Sequence, residues 1–302
     1  MQKWAYICIA TGAALWGIIS VFVQFLSASG FTPLQIVAIR VLSSALLLLG
    51  YLAWKDAALL RIKLADIKYF VGTGIFSIVF FNWCYFTAIQ ETSVSVAAVL
   101  LYTGPAFVTI LSRFLFKEWL TWRKVIALLV TFAGCAFVVG LLPTFGSTVS
   151  LFGLLVGIGA GFGYALYSIF GKFALRKYDS LTVTAYTFFV ASIGILPLSG
   201  LWNSWHLFAN PDVAFYSLGL GLFPTVLAYL LYTFGLSHVE SSRASITATV
   251  EPIVATLTGT LFFGEILTFW QTIGILLVIV AVTLVQESKK ENPRNAPINA
   301  SV

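Results

Sequence analysis

Apolar residues run along this chain in long blocks, separated by short polar or turn-forming stretches. Each block is close to the roughly 20 residues that a helix needs to cross the hydrocarbon of a bilayer. Ten can be marked, at residues 4–26, 33–54, 67–88, 93–115, 120–141, 151–171, 181–201, 214–236, 241–263 and 269–285. The first begins like a secretory signal, with a basic start and a small-residue end. Its apolar core is longer than the roughly 7 to 15 residues of a signal core, so it reads as the first membrane helix.

The blocks also repeat. Residues 92–118, TSVSVAAVLLYTGPAFVTILSRFLFKE, are echoed by residues 239–265, VESSRASITATVEPIVATLTGTLFFGE, at a spacing of 147. Pro105 then answers Pro252 and Glu118 answers Glu265. The same spacing pairs Tyr69 with Tyr216, Gly72 with Gly219, Gly74 with Gly221, Tyr85 with Tyr232 and Thr121 with Thr268. A weaker match at 148 sets Phe22, Gln24 and Phe25 against Phe170, Lys172 and Phe173, and Trp16 opposite Tyr164. Shared apolar composition does not produce matched Gly, Pro, Tyr and Glu, so the chain carries an internal duplication. The fold expected is an all-α membrane protein with ten transmembrane helices as two inverted five-helix repeats. The first repeat is placed at residues 1–145, the second at 146–287, and the polar stretch 288–302 is read as a disordered cytoplasmic tail.

Composition agrees with this pattern. The 302 residues are 60% hydrophobic and 9% charged, against roughly 25% charged in a soluble domain. Apart from Arg40, every Lys and Arg falls at Lys3, in or beside the turns between blocks 2 and 3, 4 and 5, 6 and 7, and 8 and 9, or in the tail. The connections near Ser29, Glu91, Thr144, Asn203 and Gly264 hold none. Basic residues favour the cytoplasmic side, so both termini are expected there, in the cell inner (plasma) membrane. The net charge of +6 reflects that bias and not a nucleic-acid partner. Cys8, Cys84 and Cys135 lie in apolar blocks without metal spacing, and His206 and His238 lie far from any partner, so no metal and no cofactor are expected.

Candidate chemistry sits inside the membrane blocks. Arg40 lies roughly 12 Å below the outer end of helix 2. It is either a snorkelling or helix-stapling arginine or a contact for an anionic group on a polar pathway. Glu251 lies mid-helix before Pro252, which removes a donor to the Ala248 carbonyl. The carboxyl either tends that broken helix or faces a water-filled cavity, where it binds an amine or takes up a proton. Ser242, Ser245, Thr249 and Thr256 form one polar stripe on helix 9 and Arg243, Thr247 and Glu251 another, more polarity than a lipid face tolerates. Gly104, Pro105 and Pro252 are candidate hinges, because interruptions at corresponding positions of two repeats point to a transporter's central site. Trp16, Asn82, Tyr85, Tyr102, Tyr164, Tyr167 and Tyr232 place polar atoms well inside helices, as packing or as solute contacts. Gly153, Gly157, Gly159, Gly161 and Gly163 permit close approach to helix 6. Helices 5 and 10 are almost purely aliphatic, which suits the periphery, as a monomer or as a homodimer joined there. No metalloprotease, phosphate-loop, nucleophile-elbow or cysteine-cluster motif occurs.

The ALWG segment ending at Gly17, Arg40, the prolines Pro105 and Pro252 with Glu251, and the FKEWLT and FGEILT segments ending at Thr121 and Thr268 resemble the EamA type of the drug/metabolite transporter superfamily, over residues 4–286. The resemblance implies a bundle in which helices 1–4 and 6–9 enclose a central cavity, with 5 and 10 outside. It implies alternating access, commonly with export of amino acids or related metabolites. Tyr102, Glu251 and the tyrosines of helices 3 and 6 would line the cavity, and Pro105 and Pro252 would sit in moving hairpins. Gly104 stands where a partner for Glu251 would be, so the carboxyl has no symmetrical mate. The function expected is a secondary-active exporter of small organic metabolites such as amino acids, with the proton as candidate coupling ion. A facilitator of the same solutes and a non-transporting scaffold subunit are the alternatives, and a lipid-modifying enzyme has no catalytic constellation to support it.

Overall fold

A computed structural model describes residues 2–142 and 150–286. The connection at Thr144 and the tail 288–302 lie outside the described residues. Ten helices follow in order: α1 Gln2–Ala28, α2 Pro33–Lys55, α3 Leu64–Glu91, α4 Val94–Leu115, α5 Trp122–Val138, α6 Leu151–Ala174, α7 Ser180–Ser199, α8 Pro211–His238, α9 Ser241–Phe263 and α10 Phe269–Gln286. Nine of these have 18 residues or more. The tenth, α5, has 17, the short end of what crosses a bilayer.

Helix starts follow local chemistry. Thr32 and Gln35 form a reciprocal capping box at α2, with Pro33 in the first turn. Thr121 accepts from the Lys124 amide, which begins α5 at Trp122 and not at the residue 120 suggested by the apolar run. Ser150 caps α6 and Asn210 caps α8 in the same way. Each hydroxyl or amide oxygen satisfies an amide that the helix leaves unpaired.

Packing repeats the duplication. Helix α1 packs on α8 and α9, while α6 packs on α3 and α4; α2 pairs with α7, α4 with α9, and α5 with α10. Exchanging each helix for the one five places along leaves this set of neighbours unchanged. Five crossings per repeat, an odd number, invert the second repeat relative to the first. The described Lys and Arg residues other than Arg40 gather at one end, called here the basic end.

Local irregularities come in matched pairs as well. Helix α4 is interrupted between Val94–Leu101 and Gly104–Leu115, and α9 between Ser241–Thr247 and Val250–Phe263. Pro105 and Pro252 cannot donate, and the chain tightens ahead of them. Thr103 N donates to Leu100 O at 3.2 Å and Glu251 N to Ala248 O at 3.0 Å, three-residue spacings in place of four. Wide π-type turns cover Gly72–Val79 in α3 and Leu222–Leu227 in α8. Pro224 lies in the second and Ser77 at the corresponding place in the first, so proline alone does not cause the widening.

The glycines of α6 serve two neighbours. A side chain at Gly161 would meet the Leu100 carbonyl of α4 at 2.8 Å, and Gly157 faces the same helix, while Gly153 faces Glu91 and Thr92 where α3 leads into α4. Gly159 and Gly163 face Cys84 and Phe81 of α3. At the periphery, α5 and α10 meet backbone to backbone, where a Cβ on Gly274 would stand 2.7 Å from the Gly134 carbonyl.

Candidate functional site

The two helix interruptions and the middle of α1, α2, α6 and α8 converge on one polar region. Trp16 of α1 lies 5.0 Å from the Tyr229 ring, 5.2 Å from Tyr232 and 6.4 Å from Tyr164, centroid to centroid. Its indole N–H is buried and has no hydrogen-bond partner among the described residues. Arg40 of α2 sits over Tyr229, its guanidinium carbon 5.8 Å from the ring centre, and donates one long hydrogen bond of 3.4 Å to the tyrosine hydroxyl. The Arg40 Nε is buried without a partner among the described residues.

Glu251 occupies the first turn of the second half of α9, where unpaired amides favour a negative charge. Among the described residues its carboxylate has no hydrogen bond or ion pair, and it lies within electrostatic reach of Arg40. Tyr85, Tyr102, Tyr164 and Tyr229 are within reach of the same carboxylate. A guanidinium and a carboxyl group thus stand within the bundle with most of their bonding capacity unused, in surroundings where charge interactions are strong. Gly17 makes this possible, since a Cβ there would stand 2.8 Å from the Glu251 carbonyl. Gly104 gives Tyr164 the corresponding room on α4, at 2.9 Å from its ring.

Three of the residues singled out from sequence have their polar atoms engaged. The Tyr167 hydroxyl pairs with Thr233 and the Tyr232 hydroxyl with Ser168, each at 2.6 Å, joining α6 to α8. Asn82 donates to the Ile78 carbonyl of its own helix at 2.7 Å. Trp16, Arg40, Tyr85, Tyr102, Tyr164 and Glu251 remain around the polar region. Gly104, Pro105 and Pro252 sit at the two interruptions.

The polar stripes of α9 divide at the interruption. All seven residues of Ser241–Thr247 are buried in protein. Ser245, Thr247 and Thr249 donate to backbone carbonyls three or four residues back. This half forms a packed seal, and not the cavity wall that its polarity suggested. Its centre is Glu118, which follows α4. One carboxylate oxygen accepts from the Ser241 amide at 2.7 Å, and the other from the Ser242 amide at 3.1 Å and its hydroxyl at 2.5 Å. Lys124 adds an ion pair to Glu240 at 2.9 Å and donates to the Trp119 carbonyl at 2.9 Å; Arg243 pairs with Glu240 at 2.7 Å. Burial raises the Glu240 carboxyl, but the hydrogen bond and charge of Lys124, with Arg243, outweigh it and hold the group below its ordinary value. Lys172 of α6 donates to the Leu236 and Val239 carbonyls at 2.6 Å. Beyond the seal, at the basic end, lies a cavity of about 410 Å³ bordered by Lys117, Lys172, Arg176 and His238.

A profile of the EamA-like transporter family matches twice, over residues 3–140 and 151–286. The chain belongs to the EamA-like transporter family. Among relatives, an uncharacterized transporter of Archaeoglobus fulgidus is 30% identical over 286 residues, covering 94% of this chain and 96% of its own. The uncharacterized transporter YwfM of Bacillus subtilis is 28% identical and covers 92% of each chain. A solved crystal structure shares the fold with a TM-score of 0.75 at 18% identity, covering 94% of this chain and 96% of the other. The EamA assignment makes the chain a multi-pass membrane transporter.

Sequence reasoning passed over two parts of the site. Tyr229 precedes Tyr232 by three residues and shares its helix face, so the i, i+3 spacing was a usable signal. Glu118 stood out as a repeat marker, but its bonds to Ser241 and Ser242 join separate helices and leave no local pattern.

Proposed function

We propose that the protein is a secondary-active exporter of small zwitterionic metabolites such as amino acids, working by alternating access. The observation that carries this reading is the presence of Arg40 and Glu251, a guanidinium and a carboxyl group in one region of the bundle with no ion pair between them and most of their bonding capacity unused. A solute carboxylate would meet the Arg40 fork, its ammonium would meet Glu251, and Trp16, Tyr164 and Tyr229 would enclose the side chain. Glu251 is also the proposed proton carrier. The basic end is assigned to the cytoplasm of the cell's plasma membrane by the bias of Lys and Arg. The repeats 1–145 and 146–287 are proposed as the two halves that together form the site, with Gly104, Pro105 and Pro252 as its hinges.

Proteoliposome counterflow tests this with three labelled solutes of one side chain: an amino acid, its decarboxylated amine and its deaminated acid. The wild type should exchange the amino acid saturably. Arg40→Ala should lose about 100-fold for the amino acid, the scale of one lost charged recognition contact, while retaining the amine. Glu251→Gln should keep the acid and abolish the response to an imposed pH gradient. Equal treatment of all three solutes by the wild type would refute the two-point reading, and an unchanged pH response in Glu251→Gln would refute proton carriage.

A further inference from the structure

The seal at the basic end has a second set of parts at the opposite end, and there they are unjoined. Glu265 corresponds to Glu118, and the turn that presents it is the same. Lys117 before Glu118 has φ 56 and Gly264 before Glu265 has φ 69, both left-handed. The Glu118 amide donates to Ser112 O at 3.2 Å and the Glu265 amide to Gly259 O at 3.2 Å, again a corresponding pair. A lysine held in the conformation natural to glycine is unfavourable, so the turn is matched despite its cost. Yet Glu118 is buried against Ser241 and Ser242, while Glu265 is exposed and folded back on Gly259.

The acceptor site is also in place. The residues corresponding to Ser241 and Ser242 are Val94 and Ser95, at the start of α4. Ser93 already takes the Val96 amide, which leaves those of Val94 and Ser95 facing outward from the first turn. Two further pairs show the same contrast. Lys172 holds the connection between α8 and α9, but its counterpart Gln24 is exposed. Ser168 bonds Tyr232, but the counterpart Ser20 has a buried hydroxyl with no partner among the described residues. The half-helices Gly104–Leu115 and Ser241–Thr247 pack together, whereas Val94–Leu101 and Val250–Phe263 show no comparable packing.

We propose that Glu265 is the positioning residue of a second seal, which closes the opposite end by capping the Val94 and Ser95 amides and the Ser95 hydroxyl when the Glu118 cap is released. The two carboxylates alternate, and each marks one end state of the transport cycle. This rests on the alternating-access reading and adds the residues that perform it.

Paired spin labels test it without transport. One pair, at Arg123 and Ser237, spans the basic end; the corresponding pair, at Gln90 and Trp270, spans the other, with Cys8 changed to Ser. All four positions are exposed. Glu118→Gln should lengthen the first distance and shorten the second. Glu118→Asp, which keeps the charge, gives the same comparison should the first variant not fold. Adding Glu265→Gln should reduce the population with the short second distance about tenfold, the equivalent of losing a charged hydrogen bond. Val94→Pro should do the same, because it removes one of the two amides and leaves the Ser95 hydroxyl in place, at the first helical position, which accepts proline. A short second distance that persists in both combinations would overturn the role of Glu265 and leave alternating access standing. Distances that never change in any variant, with or without solute, would overturn both.

Discussion

The two ends of this bundle are built from corresponding residues and are found in opposite conditions. At the basic end a carboxylate, two amides, a hydroxyl and a lysine close the gap between α4 and α9. At the other end the same turn holds Glu265 away from the same kind of helix start. The difference is also chemical. Gln271 stands where Lys124 would be, and Ser93 where Glu240 would be. The basic end therefore has an ion pair with Lys124 almost fully buried, and at the other end the corresponding residues are neutral. Correspondence supplies the parts of two seals, and only at the basic end are they joined and backed by charge.

The largest break in this comparison should come from removing each carboxylate. Glu118→Ala leaves two amides and the buried Lys124 with fewer partners and should cost about 3 kcal/mol. Glu265→Ala should change stability by less than about 0.5 kcal/mol. Thermal unfolding of both variants in lipid nanodiscs reads the difference, and equal losses would remove the contrast.

Next comes the pair of glycine contacts behind the site. The contact of α1 with α9 corresponds to that of α6 with α4, but the obstacles differ. A methyl at Gly17 meets the Val254 Cβ first and then the Glu251 carbonyl and the Ala255 amide, which are backbone, whereas one at Gly104 meets first the Tyr164 ring, which can turn, with the Gly161 carbonyl farther off. Gly17→Ala should cost about 2 kcal/mol and Gly104→Ala about half that. The reverse order, measured in the same unfolding assay, would show that α9 yields more easily than an aromatic side chain.

Smaller still is the loss of one hydroxyl. Tyr232→Phe breaks the bond to Ser168 and should cost about 1 kcal/mol. The corresponding Tyr85→Phe should be neutral, as its hydroxyl has no partner among the described residues.

The finest distinction is in pH. Glu240 has a lowered folded value, so its contribution is present above its ordinary value of 4.5 and fades as pH falls through the folded one. Acidification below 4.5 should loosen the Arg123–Ser237 distance. In Glu240→Gln that acid response should shrink.

Much of this architecture could be read before any coordinates. The run lengths gave ten helices, and Pro105, Pro252, Glu118 and Glu265 gave the repeat, because spacing along the chain preserves correspondence. Arg40 and Glu251 were recognisable as costly residues in an apolar setting. What escaped was pairing between distant helices. The serines and threonines of α9 promised water by their polarity, yet half of them are packed and bonded to their own backbone. Tyr167 and Tyr232 looked equivalent to Tyr85 and Tyr164 until Thr233 and Ser168 took their hydroxyls. A polar residue announces that it needs a partner, and only the fold says whether it already has one.

The seam between α5 and α10 carries a consequence for lipid. With Gly134 and Gly274 in backbone contact, there is no room between α5 and α10 at that level for an acyl chain or a methyl branch, so a compound dissolved in the surrounding leaflet meets a closed seam there.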